Sequence, residues 1–335
     1  MPILVVYNPV CGDCTAEHFF NTHVIPRLHT ANRIPTEIIR TRASGDAGIE
    51  TLRFLNRHKK DVTVVLGSGD GTLHEIVNHL AFTTDVEDDR AIHFVLVPCG
   101  TANALYASLF RPAPLEETVA YRLRSLEAFL SASTPRLLTL SLTFTSDPLG
   151  SHRALHAAIL KDSEKLRKEI PGIERFKVAA QQNITKWYAS HVKLLPIPSS
   201  GVVLTYDPEK GDFVPFGSDE NGSALDVHGP FAYFLSTMNV DRLEPEFRIN
   251  PMVSKSPPTG ASMDVIMVRP QRDPTFTVDT PKAREKFAEK TVAVLTTAYQ
   301  DGIHINLRYS LNGDISGGGG NTVVECFRAT DAPQG

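Results

Sequence analysis

The run Asp61-Val-Thr-Val-Val-Leu66 breaks abruptly into Gly67-Ser-Gly-Asp-Gly71, and apolar residues then recur at Leu73, Ile76, Val77 and Leu80. A β-branched apolar run reads as a buried strand, and the i, i+3, i+4 recurrence reads as a helix. Three glycines within five positions let the backbone turn sharply and lie close to a ligand. Strand, glycine turn and helix start leave bare N–H groups and a positive dipole end facing one point, which suits phosphate. Few arrangements constrain a chain more: it implies a parallel α/β layer with its site at the strand ends.

Asp70 sits inside this cradle. A carboxylate there repels phosphate unless Mg²⁺ or a substrate hydroxyl intervenes, as a phosphotransferase requires. Glu75 and Asn78 fall at i, i+3 on the following helix, one turn further on.

The rest of the first third has the same rhythm. Strands are expected over 3–7, 37–41, 62–66 and 93–97. Helices are expected over 16–30, its regularity limited by Pro26, and over 47–60. Alternation of this kind predicts a parallel sheet with crossover helices and ligands at the carboxyl ends of its strands. Near Pro135 the character changes. Apolar β-like runs over 137–145, 202–206, 231–237, 263–268 and 303–310 alternate with Pro, Gly, Asp and Ser, and one long helix is expected over 281–298. The fold expected is an α/β N-terminal domain over 1–135 and a mainly antiparallel β-rich domain over 136–335.

A net charge of −4 offers no basic stripe for nucleic acid. No apolar run is long enough to span a bilayer. The chain opens on a strand rather than a signal region, and its four cysteines are too scattered for a disulfide framework, so a cytoplasmic protein is expected. Cys11-x-x-Cys14 lacks a second ligand pair at metal spacing and is read as part of a loop.

Two further loops repeat the first. Val97-Pro-Cys-Gly100-Thr-Ala-Asn103 is again strand, glycine turn and helix, with Thr101 a candidate cap and phosphate contact. Asn8-Pro9-Val10-Cys11-Gly12 follows the first strand. Together, Asn8-Pro9, Ser68-Gly-Asp-Gly-Thr72 with Glu75 and Asn78, and Pro98-x-Gly100-Thr101-x-Asn103 resemble the motifs of the diacylglycerol kinase and sphingosine kinase superfamily. His74-Glu75, Asn103-Ala-Leu-x-Ala-Ser108 and Asp162-Ser-Glu-Lys-x-Arg167 with Arg175-Phe176 bring the resemblance nearest to sphingosine kinases.

The resemblance implies an ATP- and Mg²⁺-dependent lipid kinase that phosphorylates a primary hydroxyl, first of a sphingoid base. The alternatives are diacylglycerol or another neutral lipid as acceptor, or an impaired pseudokinase that binds lipid or a partner. Carried over by position, Asn8, Thr41, Ser68, Gly69, Gly71, Thr72, Glu75, Gly100, Thr101 and Asn103 belong to the nucleotide site. Asp70 becomes the general base or orienter of the acceptor hydroxyl. Glu164, Arg167 and Arg175 reach the phosphates, and Asn312 and Asp314 lie near nucleotide and metal. Asp70 and Asp314 are the metal candidates. With no anchor evident, the lipid is met at a membrane surface by transient association. Oligomeric state is left open.

Three departures from the family pattern bear on these roles. Asp13 stands where the first loop usually carries a lysine. Asn312-Gly-Asp314 replaces Asp-Gly-Glu. Leu160 occupies the position of an aspartate that sphingosine kinases are expected to pair with the substrate ammonium.

Overall fold

The computed structural model describes residues 1–83, 90–113, 115–138, 155–170, 172–195, 202–216, 225–258 and 260–330. The chain divides into two compact units, Met1–Leu137 with Leu243–Pro245, and Leu138–Arg242 with Glu246–Gly335.

In the first unit, β1 (Ile3–Tyr7), β2 (Glu37–Arg40), β3 (Val62–Ser68) and β4 (Ile92–Pro98) form a parallel sheet in the order β2-β1-β3-β4. The helices are α1 (Ala16–Phe19), α2 (Ile25–Thr30), α3 (Asp46–Arg57), α4 (Asp70–Thr83), α5 (Ala104–Leu109) and α6 (Thr118–Leu130). Strand side chains alternate between two faces. Ile3, Val5, Tyr7, Val65, Val95 and Val97 pack with Phe19, Phe20, Leu123 and Leu126. Leu4, Val6, Val62, Val64 and Leu66 pack on the other face with Phe54, Leu55, Ile76 and Leu80. Two cores thus enclose one sheet, and β1 and β3 are buried along their whole length.

The helix expected over 16–30 is broken as Pro26 foretold. A π-helical turn, Phe20–Val24, separates α1 from α2, whose first turn holds the proline. Proline cannot donate its backbone bond, and a wider turn takes up the mismatch.

The second unit contains helices α7 (Leu155–Leu166), α8 (Glu174–Asn183), α9 (Met252–Lys255) and α10 (Pro281–Thr296). Its strands are β5 (His191–Leu194), β6 (Val202–Asp207), β7 (Asp212–Pro215), β8 (Leu225–His228), β9 (Tyr233–Thr237), β10 (Ser262–Val268), β11 (Arg308–Tyr309), β12 (Ile315–Ser316), β13 (Asn321–Thr322) and β14 (Glu325–Thr330). An antiparallel sheet runs β7-β6-β14-β10-β9, beside a three-stranded sheet β12-β11-β13 and a two-stranded ribbon β5-β8. Val203, Leu225, Val227, Phe231, Val265, Met267 and Phe327 form its core. Arg328 and Asp264 face each other across β14 and β10.

The strand expected over 137–145 lies, from 139 onward, outside the described residues. The run 303–310 is not one strand. Asp301 and Gly302 both have left-handed φ (55° and 79°) and turn the chain into a 3-10 helix, Ile303–Asn306, before the short β11. Among the described residues, no helix is long and apolar enough to cross a membrane.

Candidate active site

Parallel pairing brings the three sequence loops to one edge of the sheet. Tyr7 lies opposite Gly67 and Ser68 opposite Pro98, so β1, β3 and β4 end together. Backbone bonds continue past the strands. Asn8 N–H donates to the Gly67 carbonyl at 2.9 Å, Cys99 N–H to Ser68 at 3.1 Å, and Thr41 N–H to Tyr7 at 3.0 Å. The asparagine side chain then closes its own turn, Asn8 Oδ1 accepting from Val10 N–H at 3.1 Å.

Packing, more than turning, explains the glycines. Gly67, Gly69 and Gly71 all lack left-handed φ. Gly67 ends a strand, and a Cβ there would lie 2.1 Å from Phe20 Cε2, so the phenylalanine ring fills the missing side chain. A Cβ on Gly100 would lie 2.5 Å from Gly69 Cα. Gly12 does need left-handed φ (54°), and a Cβ on it would meet the Cys99 carbonyl at 2.2 Å. Gly71 differs: it is exposed in the first turn of α4, and beyond its own stretch of helix no atom lies within 4 Å of its virtual Cβ. Open space therefore faces the α4 start.

Asp70 is the first residue of α4, and its carboxylate reaches α5. Oδ2 accepts from Ala104 N–H at 2.8 Å and Oδ1 from Leu105 N–H at 3.0 Å. The Ala104 and Leu105 N–H groups at the N-terminus of α5 are thus capped by a residue of another helix. Asn103, at left-handed φ (54°), clasps Gly100 by accepting from its N–H (2.9 Å) and donating to its carbonyl (2.8 Å). Ser68 Oγ donates to Thr72 Oγ1 at 2.5 Å, and both residues are buried. Glu75 turns aside, accepting from Ser44 Oγ (2.9 Å) and Gly45 N–H (3.1 Å), and so ties α4 to the start of α3. A pocket of about 270 Å³, counting its open mouth, lies beneath the loops, lined by Ser68, Gly69, Asp70 and Asn103 over Leu66, Leu73, Leu96 and Tyr106.

Sequence reasoning missed what supports the loops from behind. Arg122 of α6 donates from Nε to the Pro98 carbonyl (3.0 Å) and from Nη2 to Cys99 Sγ (3.1 Å), and lies 3.7 Å from the Phe19 ring centre. Cys11 pairs with buried Cys99 rather than with Cys14. The hydrogen bond to Cys99, aided by burial, pushes the Cys11 thiol up; that same bond and Arg122 hold Cys99 low despite burial. Asp13, where the family carries a lysine, is engaged locally. It accepts from Thr15 N–H (3.1 Å) and Thr15 Oγ1 (2.6 Å) at the entry to α1. Burial pushes its carboxyl up, but the two Thr15 bonds outweigh burial and leave it below the usual range.

The remaining residues belong to the second unit. On α7 and α8, Glu164 meets Arg167 at 3.3 Å and Arg175 at 3.9 Å. Arg175 is buried, donates to the Gly172 carbonyl (3.0 Å) and stacks over Phe176. Leu160 is exposed on α7. Asp162, two residues on, binds Lys165 (2.7 Å) and Asn183 (2.9 Å), and these bonds hold its carboxyl low. Asn312 and Asp314 lie exposed in the β11–β12 turn, where Lys290 Nζ donates to the Gly313 carbonyl at 2.7 Å.

The diacylglycerol kinase catalytic domain matches residues 2–129, the stretch that carries all three loops. Over this stretch the chain is similar to the diacylglycerol kinase catalytic domain. Sphingosine kinase 1 of Arabidopsis thaliana is 31% identical over 208 residues, 59% of this chain and 40% of that protein. Sphingosine kinase B of Dictyostelium discoideum is 43% identical over 118 residues, 35% of this chain and 15% of that protein. The chain therefore spans less than half the length of either relative. A diacylglycerol kinase structure from Bacillus anthracis str. Sterne aligns over 87% of this chain and 80% of its own, at 15% identity and a TM-score of 0.43.

Proposed function

We propose that this chain transfers the γ-phosphoryl group of ATP, with Mg²⁺, to the primary hydroxyl of a long-chain lipid, a sphingoid base in the first place. Residues 1–135 hold the nucleotide and 136–335 the lipid. What supports this most is Asp70, a carboxylate clamped by two backbone N–H groups beside an α4 start that opens onto free space at Gly71.

The residues suit the nucleotide. A 14-residue helix begins at Asp70 with an exposed glycine in its first turn, so phosphate oxygens can approach the backbone N–H groups of α4 without meeting a side chain. Among the described residues, no three His, Cys, Asp or Glu side chains converge at these loops. That suits Mg²⁺, which is commonly held by one or two carboxylates, phosphate oxygens and water. Asp70 and Asp314 are each a candidate carboxylate, and an ion held by either would offset charge on the phosphates.

Phosphoryl transfer relies on positioning and charge stabilisation more than on covalent chemistry. Asn8, Thr41, Ser68, Gly69, Thr72, Gly100, Thr101 and Asn103 shape and hold the cradle, with Glu75 bracing α4 from behind. By the family resemblance, Glu164, Arg167, Arg175 and Asn312 are further candidates for phosphate contact. Each Asp70 oxygen already accepts one N–H and keeps a further lone-pair direction. It orients the acceptor hydroxyl and takes its proton late in the transfer.

Leu160 favours a second acceptor class. A leucine cannot neutralise a sphingoid ammonium, whereas a neutral lipid such as diacylglycerol needs no counter-charge. The test is incorporation of labelled γ-phosphate from ATP and Mg²⁺ into sphingosine, dihydrosphingosine, ceramide and diacylglycerol in mixed micelles, with Asp70→Asn as the blank. We expect one headgroup class to be labelled, and the variant to lose about 10²–10⁴-fold in rate. No label in any lipid, or full activity in Asp70→Asn, overturns the proposal.

A further inference from the structure

The β5–β8 ribbon presents a second constellation, unrelated to the kinase loops. Its two strands alternate strictly. Leu194, Leu225 and Val227 point into the core, while His191, Lys193, Asp226 and His228 point to solvent. His191 lies directly opposite His228. Tyr188 and Phe231 exchange both backbone bonds, and Gly229 N–H donates to Ser190. Counting on by alternation makes 191–228 a non-hydrogen-bonded pair, the kind whose side chains stand closest.

The side chains confirm that closeness. The two imidazole rings stack in parallel, with centroids 4.3 Å apart and planes 3° from one another. Both aim Nε2 at the same oxygen: His191 Nε2 contacts Asp226 Oδ1, and His228 Nε2 lies 3.4 Å from it. One ligand atom from each of the three residues lies within 4.8 Å of the others. Ligand atoms in a tetrahedral zinc site, with bonds of about 2.0–2.1 Å, stand roughly 3.4 Å apart. Small rotations of these solvent-exposed side chains reach that spacing, and the strands beneath are anchored by buried residues.

We propose that His191, Asp226 and His228 form a surface site for a divalent transition-metal ion, with zinc as its natural occupant. Two imidazoles and one carboxylate suit zinc, copper or nickel, and suit Mg²⁺ poorly because that ion prefers an all-oxygen shell. The site is therefore distinct from any kinase Mg²⁺. Two ligands come from β8 and one from β5, so an ion here cross-links the strands. Two-stranded ribbons are marginal on their own, and such a clamp stabilises this one. Lys193, opposite Asp226 on the same face, is the competing partner for the carboxylate.

The test titrates the full-length protein with zinc alone against a chromogenic chelator, in wild type, His191→Asn, His228→Asn, Asp226→Asn and Cys14→Ser. Wild type should withdraw one equivalent of zinc. Loss of an outer-sphere partner typically weakens metal binding about 10–100-fold, and loss of a ligand here should weaken it at least that much. Cys14→Ser should bind as wild type does, and cobalt(II) substitution should show no thiolate charge-transfer band. Circular dichroism verifies that each variant is folded. Zinc binding unaltered in folded His191→Asn and His228→Asn, binding lost in Cys14→Ser, or no zinc uptake by wild type each overturns the proposal.

Discussion

Gly69 and Gly100 meet backbone to backbone: a methyl group on Gly100 would sit 2.5 Å from the Gly69 Cα. The obstacle is main chain, which cannot swing aside as a side-chain tip can. Gly100→Ala should therefore destabilise the first unit by about 1–3 kcal/mol, the usual scale of overpacking. Gly71→Ala should do the opposite. Nothing crowds that position, and alanine favours a helix by roughly 0.5–1 kcal/mol over glycine. Yet its methyl stands where phosphate would approach, so the KM for ATP should rise about tenfold or more. Thermal melts and ATP titrations of both variants separate the two effects. A Gly71→Ala enzyme with unchanged KM would show that phosphate does not approach there.

Arg122 should act on the same site from behind. Its planar fork holds Pro98 and Cys99 at once, a geometry that lysine cannot reproduce. Arg122→Lys keeps the charge but should raise the KM for ATP several-fold while leaving the KM for lipid unchanged. Equal effects on both would point to general loosening instead.

The second unit carries a buried ion pair whose loss should be severe. Arg328 is fully buried and grips Asp264 through Nε (2.7 Å) and Nη2 (2.8 Å), while Asn250 adds a bond at 2.8 Å. Arg328→Met leaves a buried carboxylate uncompensated and should cost about 3–5 kcal/mol. Adding Asp264→Leu should recover much of that loss. Trp187, the sole tryptophan, is buried in this unit, so its fluorescence in urea follows the unfolding. A double variant no more stable than the single one would contradict the expectation.

Acid should weaken the same unit through His304. The ring is fully buried, with Nε2 3.0 Å from the Ile249 carbonyl, and burial pushes its pKa down to about 4 from 6.5. Between those values the unfolded chain binds a proton that the folded chain refuses. Stability is thus intact above about pH 6.5 and falls as pH drops toward about 4. His304→Gln should flatten this part of the profile, as read from urea midpoints at pH 7 and pH 5. An identical slope in the variant would rule the histidine out as its source.

The first unit was legible in the sequence because its signals are local. A β-branched run, a glycine cluster and a helical period each sit within a dozen residues, and parallel pairing follows from their alternation. The second unit was less so. The β-like runs that dominate its sequence mask helices α7 and α8, although Leu155, Ile159, Ser163 and Leu166 repeat at helical spacing. The run 303–310 read as a strand because Ile303, Ile305 and Leu307 alternate, while the left-handed pair before it gave a weaker cue. In the site, spacing foretold which residues gather at the sheet edge, but not what their side chains bind. Nothing in the order of residues says that Asp70 caps a helix 34 positions away, or that Arg122 backs the second loop.

Phe20 beneath Gly67 makes positions 20 and 67 a single choice. Any side chain at 67 needs the space that the ring occupies, and a small residue at 20 leaves a hole under the strand end that bears Ser68 and Asp70. An engineer wishing to stiffen β3 with valine must therefore shrink its partner in the same step, because each change alone passes through a misfit that the pair avoids.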